Sequence, residues 1–255
     1  MHRITMSSLL LLTPFVVAVA SPVSAFDVTG CYQSVPAGQV GELQVDLVCD
    51  GSGGPNVTIQ RGGKLRLNGH TISGGYLGIA TEPAGKRVTI EGPGEVFGAT
   101  GTAPLGGCAI GVTVKTTIKN VILHDNRCGI GRPYDYAIRL QDVTIDANTE
   151  DAIEAASSGP GNGRVVAKNV TITNNGGLAL QTDGRSSLRG ATITNNASGG
   201  VYFSGARRSS LFDGTLTGNG PQGDVAAATV PRFVRSTYTV SQNLGGGSLG
   251  ICADD

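Results

Sequence analysis

The 255-residue sequence has no tryptophan, only 5% aromatic residues and only 15% charged residues. Its 19 basic and 19 acidic side chains cancel to a formal net charge of zero. A chain without net charge lacks the general attraction that draws proteins to nucleic acids or to anionic membranes, so we expect no nucleic-acid partner. Any charged ligand must therefore be bound by a local cluster of side chains.

Long apolar runs are also missing, apart from a short one at the N-terminus. Residues 9–20 follow the basic start His2-Arg3 and precede the small residues Val23-Ser24-Ala25, an order typical of a signal peptide. We expect residues 1–25 to be removed and the protein to be secreted or periplasmic. No later stretch approaches the roughly 20 apolar residues of a membrane-spanning helix, so no transmembrane segment is expected.

Glycine, by contrast, is abundant, with 40 residues that favour short strands and tight turns over helices. One motif recurs, in which two apolar residues flank a threonine or another residue and an asparagine follows three residues after the second. Five copies read KNVILHDN from Lys119, QDVTIDAN from Gln141, KNVTITNN from Lys168, RGATITNN from Arg189 and FDGTLTGN from Phe212. Two weaker copies, which lack the asparagine, read NGHTISGG from Asn68 and GPGEVFGA from Gly92. Seven copies with irregular spacing predict a solenoid in which one turn of each coil absorbs insertions.

The side-chain period within each copy is two, so Val170 and Ile172 point inward while Thr171 and Thr173 point outward. Further apolar rows precede and follow the motif, which predicts three strands per coil. The motif asparagines should form a hydrogen-bonded ladder and adopt the left-handed conformation of the turn. These asparagines are Asn126, Asn148, Asn175, Asn196 and Asn219.

The repeats resemble the pectin-lyase-like superfamily of right-handed parallel β-helices. They are especially similar to bacterial exported proteins that carry DLVCDG, here from Asp46, and LRLNGHTISGG, here from Leu65. The resemblance implies an all-β solenoid of about seven coils. We expect one domain, with an N-terminal cap at 26–54, the β-helix at 55–220 and a C-terminal cap at 221–255 that covers the open apolar end. A monomer is expected.

The superfamily includes polysaccharide lyases, epimerases and glycosidases as well as proteins without known activity, so function must come from a site. In the lyases the ligand crosses the strand before the asparagine-terminated one, with Arg or Lys as base and acidic residues binding calcium. The alternation places a broken stripe of cations on that strand, formed by Arg66, Lys119, Arg139, Lys168 and Arg189. The stripe fits a repeating anion, although a solvated polar face is the simpler interpretation.

Asp142 and Asp213 occupy the corner that the lyases use for metal ligands, but Asn169 and Gly190 stand on the coils between them. We therefore expect no cofactor, with calcium as the alternative left open. The loop that contains Tyr134 and Tyr136 is a candidate cleft wall for binding substrate, since aromatic rings stack on sugars.

A second cluster interrupts the outward row of threonines. His124 and Asp146 hold one offset on consecutive coils, within reach of Glu95 and Asp125. A carboxylate beside an imidazole is the arrangement that general acid/base catalysis requires, and a surface contact between coils is the alternative. Together with Arg139 and Asp142, this pair makes up our catalytic candidates. His70 has an offset that predicts an inward position.

The five cysteines allow two disulfides. Cys108 and Cys128 hold the same offset on neighbouring coils, about 4.8 Å apart, within the range of a disulfide. Cys31 and Cys49 flank the cap and should form the other bridge, which leaves Cys252 free. The leading functional hypothesis is an exported protein that binds, cleaves or epimerises an acidic polysaccharide, and the rival is a non-catalytic binding or structural β-helix.

Overall fold

The computed structural model describes residues 25–83, 85–102, 106–131, 136–155, 163–203, 209–227, 232–234 and 237–238. The proposed signal peptide up to residue 24, Tyr134 and Cys252 lie outside these residues. Among the described residues, no helix is long and apolar enough to cross a membrane.

The described residues form an all-β solenoid of about seven coils in which every strand pairing is parallel. One sheet contains β1 Phe26–Val28, β3 Val40–Leu43, β4 Leu47–Cys49, β6 Lys64–Arg66, β7 Thr71–Gly74, β9 Val88–Glu91, β10 Glu95–Phe97, β12 Thr116–Lys119, β13 Ile122–His124, β15 Ala137–Asp146, β17 Arg164–Thr173, β19 Ser187–Arg189, β20 Thr192–Thr194, β22 Ser210–Phe212, β23 Thr215–Thr217, β25 Arg232–Val234 and β26 Thr237–Tyr238. The other contains β2 Gln33–Val35, β5 Pro55–Ile59, β8 Leu77–Thr81, β11 Cys108–Gly111, β14 Cys128–Gly131, β16 Ile153–Ala155, β18 Leu178–Thr182, β21 Gly199–Phe203 and β24 Val225–Ala227.

Each coil supplies a first and a second strand to the larger sheet and a third strand to the smaller one. In the coil of β12, β13 and β14 the three strands are separate, whereas β15 and β17 each run through both the first and the second position. The strands also continue on the N-terminal side of the motif copies, because β3, β4 and β5 stack on β6, β7 and β8.

The core consists of three apolar rows, one from each strand position. In the second position the register joins Ile72, Val96, Leu123, Ile145 and Ile172, and it continues through Ile193 and Leu216. All of these side chains are buried. The predicted inward rows of the first and third strands are buried as well. The sequence register is thereby confirmed for all seven copies.

The asparagine ladder is confirmed, and it lies inside the turn. Asn126 donates from Nδ2 to Oδ1 of Asn148 at 3.0 Å, and the same bond joins Asn148 to Asn175 at 2.9 Å and Asn175 to Asn196 at 2.8 Å. Asn196 continues it to Asn219 at 2.8 Å. The final Nδ2 donates to Oδ1 of the buried Asp224 at 2.7 Å. Each ladder amide also donates to main-chain carbonyls, so the buried side chains are satisfied.

One part of the ladder prediction was wrong. The left-handed conformation belongs to the residue before each ladder asparagine, with φ of 52° at Asp125, 52° at Ala147 and 56° at Asn174. A second left-handed corner separates the first and second strands, at Asn120, Asp142 and Asn169 among others. Two consecutive residues therefore form the ladder turn. The first adopts the left-handed conformation that turns the chain, and the second, the ladder asparagine, directs its side-chain amide along the stack of coils.

Both predicted disulfides are present. Cys31 is bonded to Cys49 with a Cα–Cα distance of 5.8 Å, and Cys108 is bonded to Cys128 with a Cα–Cα distance of 4.3 Å. The second bridge joins directly stacked residues of β11 and β14. Disulfides of this kind are typical of proteins that mature in an oxidising compartment.

The inward position predicted for His70 was wrong. Its side chain is partly exposed and its Nδ1 lies 3.2 Å from Oδ1 of Asp46. The imidazole turns instead towards the carboxylate of Asp46, which comes directly before β4 on the preceding coil.

Candidate functional site

The outer side of the first strands is rich in cations, and we call it the basic face. Its outward positions on or directly before β6, β9, β12, β15, β17 and β19 carry nine basic side chains, which are Lys64, Arg66, Arg87, Lys115, Lys119, Arg139, Arg164, Lys168 and Arg189. On the described first strands from β1 to β19, the same outward positions carry three acidic side chains, Asp27, Glu42 and Glu91. A chain with no net charge therefore concentrates positive charge on one surface.

Glu42 and Glu91 neutralise the N-terminal end of this face, and at its other end Arg189 lies 3.8 Å from the carboxylate of Asp213. Arg66 binds Glu42 at 2.8 Å and lies 3.8 Å from Glu91, which also pairs with Lys64. The hydrogen bond from Lys64, strengthened by its charge and that of Arg66, lowers the pKa of Glu91. Towards the C-terminus, neutral Gln141 stands in the same row between Lys119 and Lys168.

A shallow groove of about 410 Å³ runs across the middle of the basic face. Its lining consists of Arg87, Thr89, Thr117, Lys119, Arg139, Leu140, Gln141, Val166 and Lys168. Four of these nine residues are basic and none is acidic, so the groove is a positively charged surface built from four successive coils. Its charge and shape suit an extended anion.

The cations occupy more than one row. Arg66, Lys119, Lys168 and Arg189 belong to the row that also holds Glu91 and Gln141. Arg139 instead lies two residues earlier, in register with Thr117 and Val166. The cations of the predicted broken stripe therefore belong to a grid of rows, in which Glu42 and Glu91 share the row of Arg66.

Asp142 lies at the corner that borders this groove, with a left-handed φ of 53°. Its carboxylate accepts hydrogen bonds from Nδ2 of Asn169 at 2.9 Å and from Nε2 of Gln141 at 3.1 Å. These bonds, with a smaller contribution from the charge of Lys168, lower the pKa of Asp142. The residue is thus an exposed carboxylate held in place by neutral amides. Among the described residues no group of three or more His, Cys, Asp or Glu is arranged to hold a metal ion.

His124 lies on a different surface, the outer side of the second strands. Its Nδ1 is 2.7 Å from Oδ2 of Asp125 and its Nε2 is 3.3 Å from Oε2 of Glu95. The ring stacks on Phe97 of the preceding coil, with centroids 4.9 Å apart and planes inclined by 17°. Both ring nitrogens therefore face carboxylates, and the imidazole has a fixed orientation.

Asp146 is the register partner of His124, but its carboxylate bonds in the other direction. Oδ1 accepts a hydrogen bond from Oγ1 of Thr173 at 2.6 Å and another from Nδ2 of Asn174 at 2.9 Å. The two side chains are thus neighbours in the sheet with separate hydrogen-bond partners. Glu95 and Asp125 hold the imidazole instead.

The four candidate catalytic residues do not converge on one centre. Arg139 projects from the first part of β15 and Asp146 from the last part, with the corner at Asp142 between them. His124 lies beside Asp146 on the second-strand surface. Tyr136, a candidate for binding substrate, is half-buried directly before β15, and it has an interaction partner.

The family model of the right-handed β-helix region matches residues 106–227. This span covers the strands from β11 to β24, including the C-terminal part of the groove. The chain is a right-handed parallel β-helix repeat protein. No curated protein and no solved structure matches it. The matched description concerns the fold of the β-helix and names no activity.

Sequence reasoning missed part of the β-helix's basic face. Arg87, Lys115 and Arg164 precede or begin first strands and extend the face by one more row. The signal was available in the period of two, because each lies two residues before an outward position of the same strand. Glu42 was missed because the repeat motif does not extend to β3.

Two carboxyl groups beside the ladder turn of the β-helix were missed as well. Burial raises the pKa of Asp151, whose Oδ1 also accepts a hydrogen bond from the amide of Leu178 at 2.7 Å. Burial and the nearby charge of Asp151 raise the pKa of Glu154. No sequence pattern marked them, since their shifts arise from how the turn of one coil packs on the next.

Proposed function

We propose that this β-helix is an exported protein that binds an acidic polysaccharide along its basic face. The observation that carries the proposal is the imbalance of nine basic to three acidic side chains on that face, in a chain whose total charge is zero. A solvated sheet face needs polar residues of either sign, and both signs mixed would serve solubility equally well. The segregation of one sign favours a polyanionic ligand.

The geometry of the basic face supports a polymer rather than a single small anion. Successive coils place outward side chains about 4.8 Å apart, and alternate residues of one strand lie about 6.6 Å apart. The cations therefore form a two-dimensional array, to which a chain of regularly spaced carboxylates can bind at several points. Arg139 offers a planar guanidinium that binds a carboxylate through two hydrogen bonds, while Lys119 and Lys168 act as mobile point charges.

Export is the second part of the proposal. It is supported by the order of basic, apolar and small residues at the N-terminus and by the two disulfides, which persist outside the reducing cytosol. An exported protein meets the acidic polysaccharides of cell surfaces and extracellular matrices. Mass spectrometry of the protein purified from culture medium or periplasm should show a mature N-terminus at Phe26.

The binding proposal is tested by retention on an immobilised polyuronate. Changing Arg139 and Lys168 together to Gln should weaken retention, more at low salt than at high, because exposed charges are screened over about 10 Å at 0.1 M salt. A matched control changes Arg61 and Lys86, exposed cations of the loops outside the groove, to Gln. The proposal fails if both double variants lose retention equally, or if a neutral glucan is retained as well as the polyuronate.

A catalytic role, as lyase, epimerase or glycosidase, is the second candidate function, favoured by the environment of His124. An imidazole between Asp125 and Glu95 is oriented for proton transfer, and loss of a general acid or base usually lowers turnover by about 10² to 10⁴. Activity on uronic-acid polymers should be followed by the absorbance of unsaturated product ends and by the release of reducing ends.

The catalytic candidate residues are tested by His124→Gln and Asp146→Asn, which keep size and polarity. If the parent protein is active and both variants keep full turnover, the catalytic groups lie elsewhere, and Arg139 and Asp142 in the groove are then the next to change. Adding calcium or a chelator to the same assay tests the alternative of a calcium-dependent reaction. If no polymer is turned over under any of these conditions, the protein is a binding or structural β-helix.

A further inference from the structure

The outer side of the second strands changes character between the two ends of the β-helix. In the three coils of β17, β20 and β23, every outward position of the second strand is a threonine. These residues, which we call the threonine face, are Thr171, Thr173, Thr192, Thr194, Thr215 and Thr217. They are paired in exact register from coil to coil. The result is an array of two columns and three rows.

This array is not a general property of exposed strands in the chain. In the same three coils, the outward positions of the first strands from β17 to β22 hold Val166, Lys168, Ser187, Arg189, Ser210 and Phe212, with no threonine among them. Threonine suits any exposed strand, since it has a high strand propensity. A preference for strands alone would have placed threonine on both faces, so the restriction to one face indicates a different requirement.

The threonine face has a fixed lattice of hydroxyl and methyl groups. Neighbouring rows lie about 4.8 Å apart, and the two columns lie about 6.6 Å apart. Threonine is branched at Cβ and has few accessible rotamers, so ordering its side chain costs little entropy. Each side chain presents one methyl group, which water cannot hydrogen-bond, beside one hydroxyl that both donates and accepts.

We propose that the threonine face binds the surface of ice. In hexagonal ice the oxygen atoms of a prism face repeat in two perpendicular directions at distances close to the two spacings of this array. Hydroxyl groups at lattice positions can replace surface waters in their hydrogen bonds, and methyl groups fit between them. A preorganised array binds more tightly than a mobile one, because little ordering is left for the moment of contact.

Charge complementarity favours ice over an ionic ligand. All six side chains of the threonine face are uncharged. The nearest acidic residue in the register, Asp146, lies at its edge, where it accepts a hydrogen bond from the hydroxyl of Thr173. Ice is likewise uncharged and excludes ions from its lattice, so a face without ions is the better match for it. In the strand register, one column of the array continues at one end to Thr144 of β15 and at the other end to Thr237 of β26.

The chemistry of the face also favours ice over a crystalline neutral polysaccharide. Proteins bind sugar rings with flat aromatic side chains, and the six positions of the threonine face contain none. The aromatic residue of the second-strand surface, Phe97, lies several coils away under His124. Crystalline cellulose is therefore the comparison ligand in the test.

The experiment measures how much of the oxidised full-length mature protein is captured by slowly growing polycrystalline ice, and how single ice crystals grow in its presence. We expect capture of the protein into ice and faceted crystals. Thr192→Tyr, which places a bulky ring at the centre of the array, should reduce capture to the level of a protein that does not bind ice. Thr192 is exposed, so its replacement should leave the unfolding temperature nearly unchanged.

The matched control is Ser187→Tyr, which places the same ring on an outward position of the first strand of the same coil, outside the array. This variant should be captured by ice as well as the parent protein. Equal capture of parent and Thr192→Tyr would overturn the proposal, as would exclusion of the parent from ice. Binding of the parent to crystalline cellulose that is lost in Thr192→Tyr, without capture by ice, would assign the face to a neutral polysaccharide instead.

Discussion

The basic face and the threonine face meet on one strand. β17 runs through both, with Val166 and Lys168 outward on one side of the corner at Asn169 and Thr171 and Thr173 outward on the other. Their inward residues are equivalent, since each strand position contributes one apolar row to a shared core. The comparison shows that stacking constrains only the inward half of each strand. The outward half is free to differ, and the two faces differ in charge.

The first prediction compares the stability lost when a buried ladder residue is replaced with the stability lost when an exposed residue is replaced. Asn175→Ala should lower the free energy of unfolding by about 3 kcal/mol, because it leaves the buried amide groups of Asn148 without their acceptor. Urea denaturation measures the loss. Asn174→Gly is the control. Asn174 precedes Asn175 and is exposed, and glycine tolerates its left-handed φ of 56°. A similar loss in both variants would mean that the turn, and not the ladder, carries the stability.

The second prediction concerns the covalent link between coils. Replacing Cys108 and Cys128 together by Ala should destabilise the protein by about 3 kcal/mol in the chain-entropy model, for a sequence separation of 20. Polyanion retention should be unchanged, since the basic face is on other strands. The Cys31–Cys49 bridge, with a separation of 18, provides the comparison and should give a similar loss. A much smaller loss at one bridge would show that its coils stay stacked without it.

The third prediction enlarges the basic face. Glu91→Gln should strengthen retention on dextran sulfate, because Lys64 and Arg66 lose their ion-pair partner. Folding lowers the pKa of Glu91, so its carboxylate stabilises the folded protein at pH values above the ordinary pKa of 4.5. That stabilisation disappears as the pH falls through the pKa of the folded state. The parent's retention should therefore rise at acid pH, where the sulfates of the probe stay ionised, while that of Glu91→Gln changes less. Equal pH dependence in both proteins would contradict this account.

The smallest effect is predicted at Asp151, outside both faces. Because burial raises its pKa, the folded protein binds more protons than the unfolded chain between the ordinary value of 3.8 and the folded pKa, so stability falls as pH rises through this interval. Asp151→Asn removes this penalty and keeps an acceptor for the amide of Leu178. The variant should melt slightly above the parent at neutral pH and level with it below pH 3.8. A lower melting temperature at neutral pH would show that the carboxylate stabilises the turn.

The repeat made the fold predictable. A period of two with an apolar anchor in seven copies was sufficient to align Ile145 with Leu123 and Ile172, and the same alignment brought Cys108 over Cys128. Stacked parallel strands have little freedom to change their register, because a slip of one residue would expose every inward side chain. The role of the ladder asparagines in hydrogen bonding followed for the same reason.

The candidate site was predictable in position but not in contacts. The sequence placed His124 and Asp146 side by side, and the register agrees. It could not show that Asp146 bonds to Thr173 and Asn174 while Asp125 and Glu95 hold the imidazole. A carboxylate on a strand has neighbours on two coils, and the choice between them depends on rotamers and corner geometry.

The sequence by itself thus determined the coil, its inward rows, the ladder and both disulfides, because these depend on spacing along the chain and on the strand period. Only the tertiary structure decided which outward residues act together. The acids Glu42 and Glu91 neutralise one end of the basic face, and Arg139 stands in a separate row from Lys168. Such groupings depend on the side-by-side packing of residues more than 20 positions apart, and spacing alone does not specify where each charged side chain reaches.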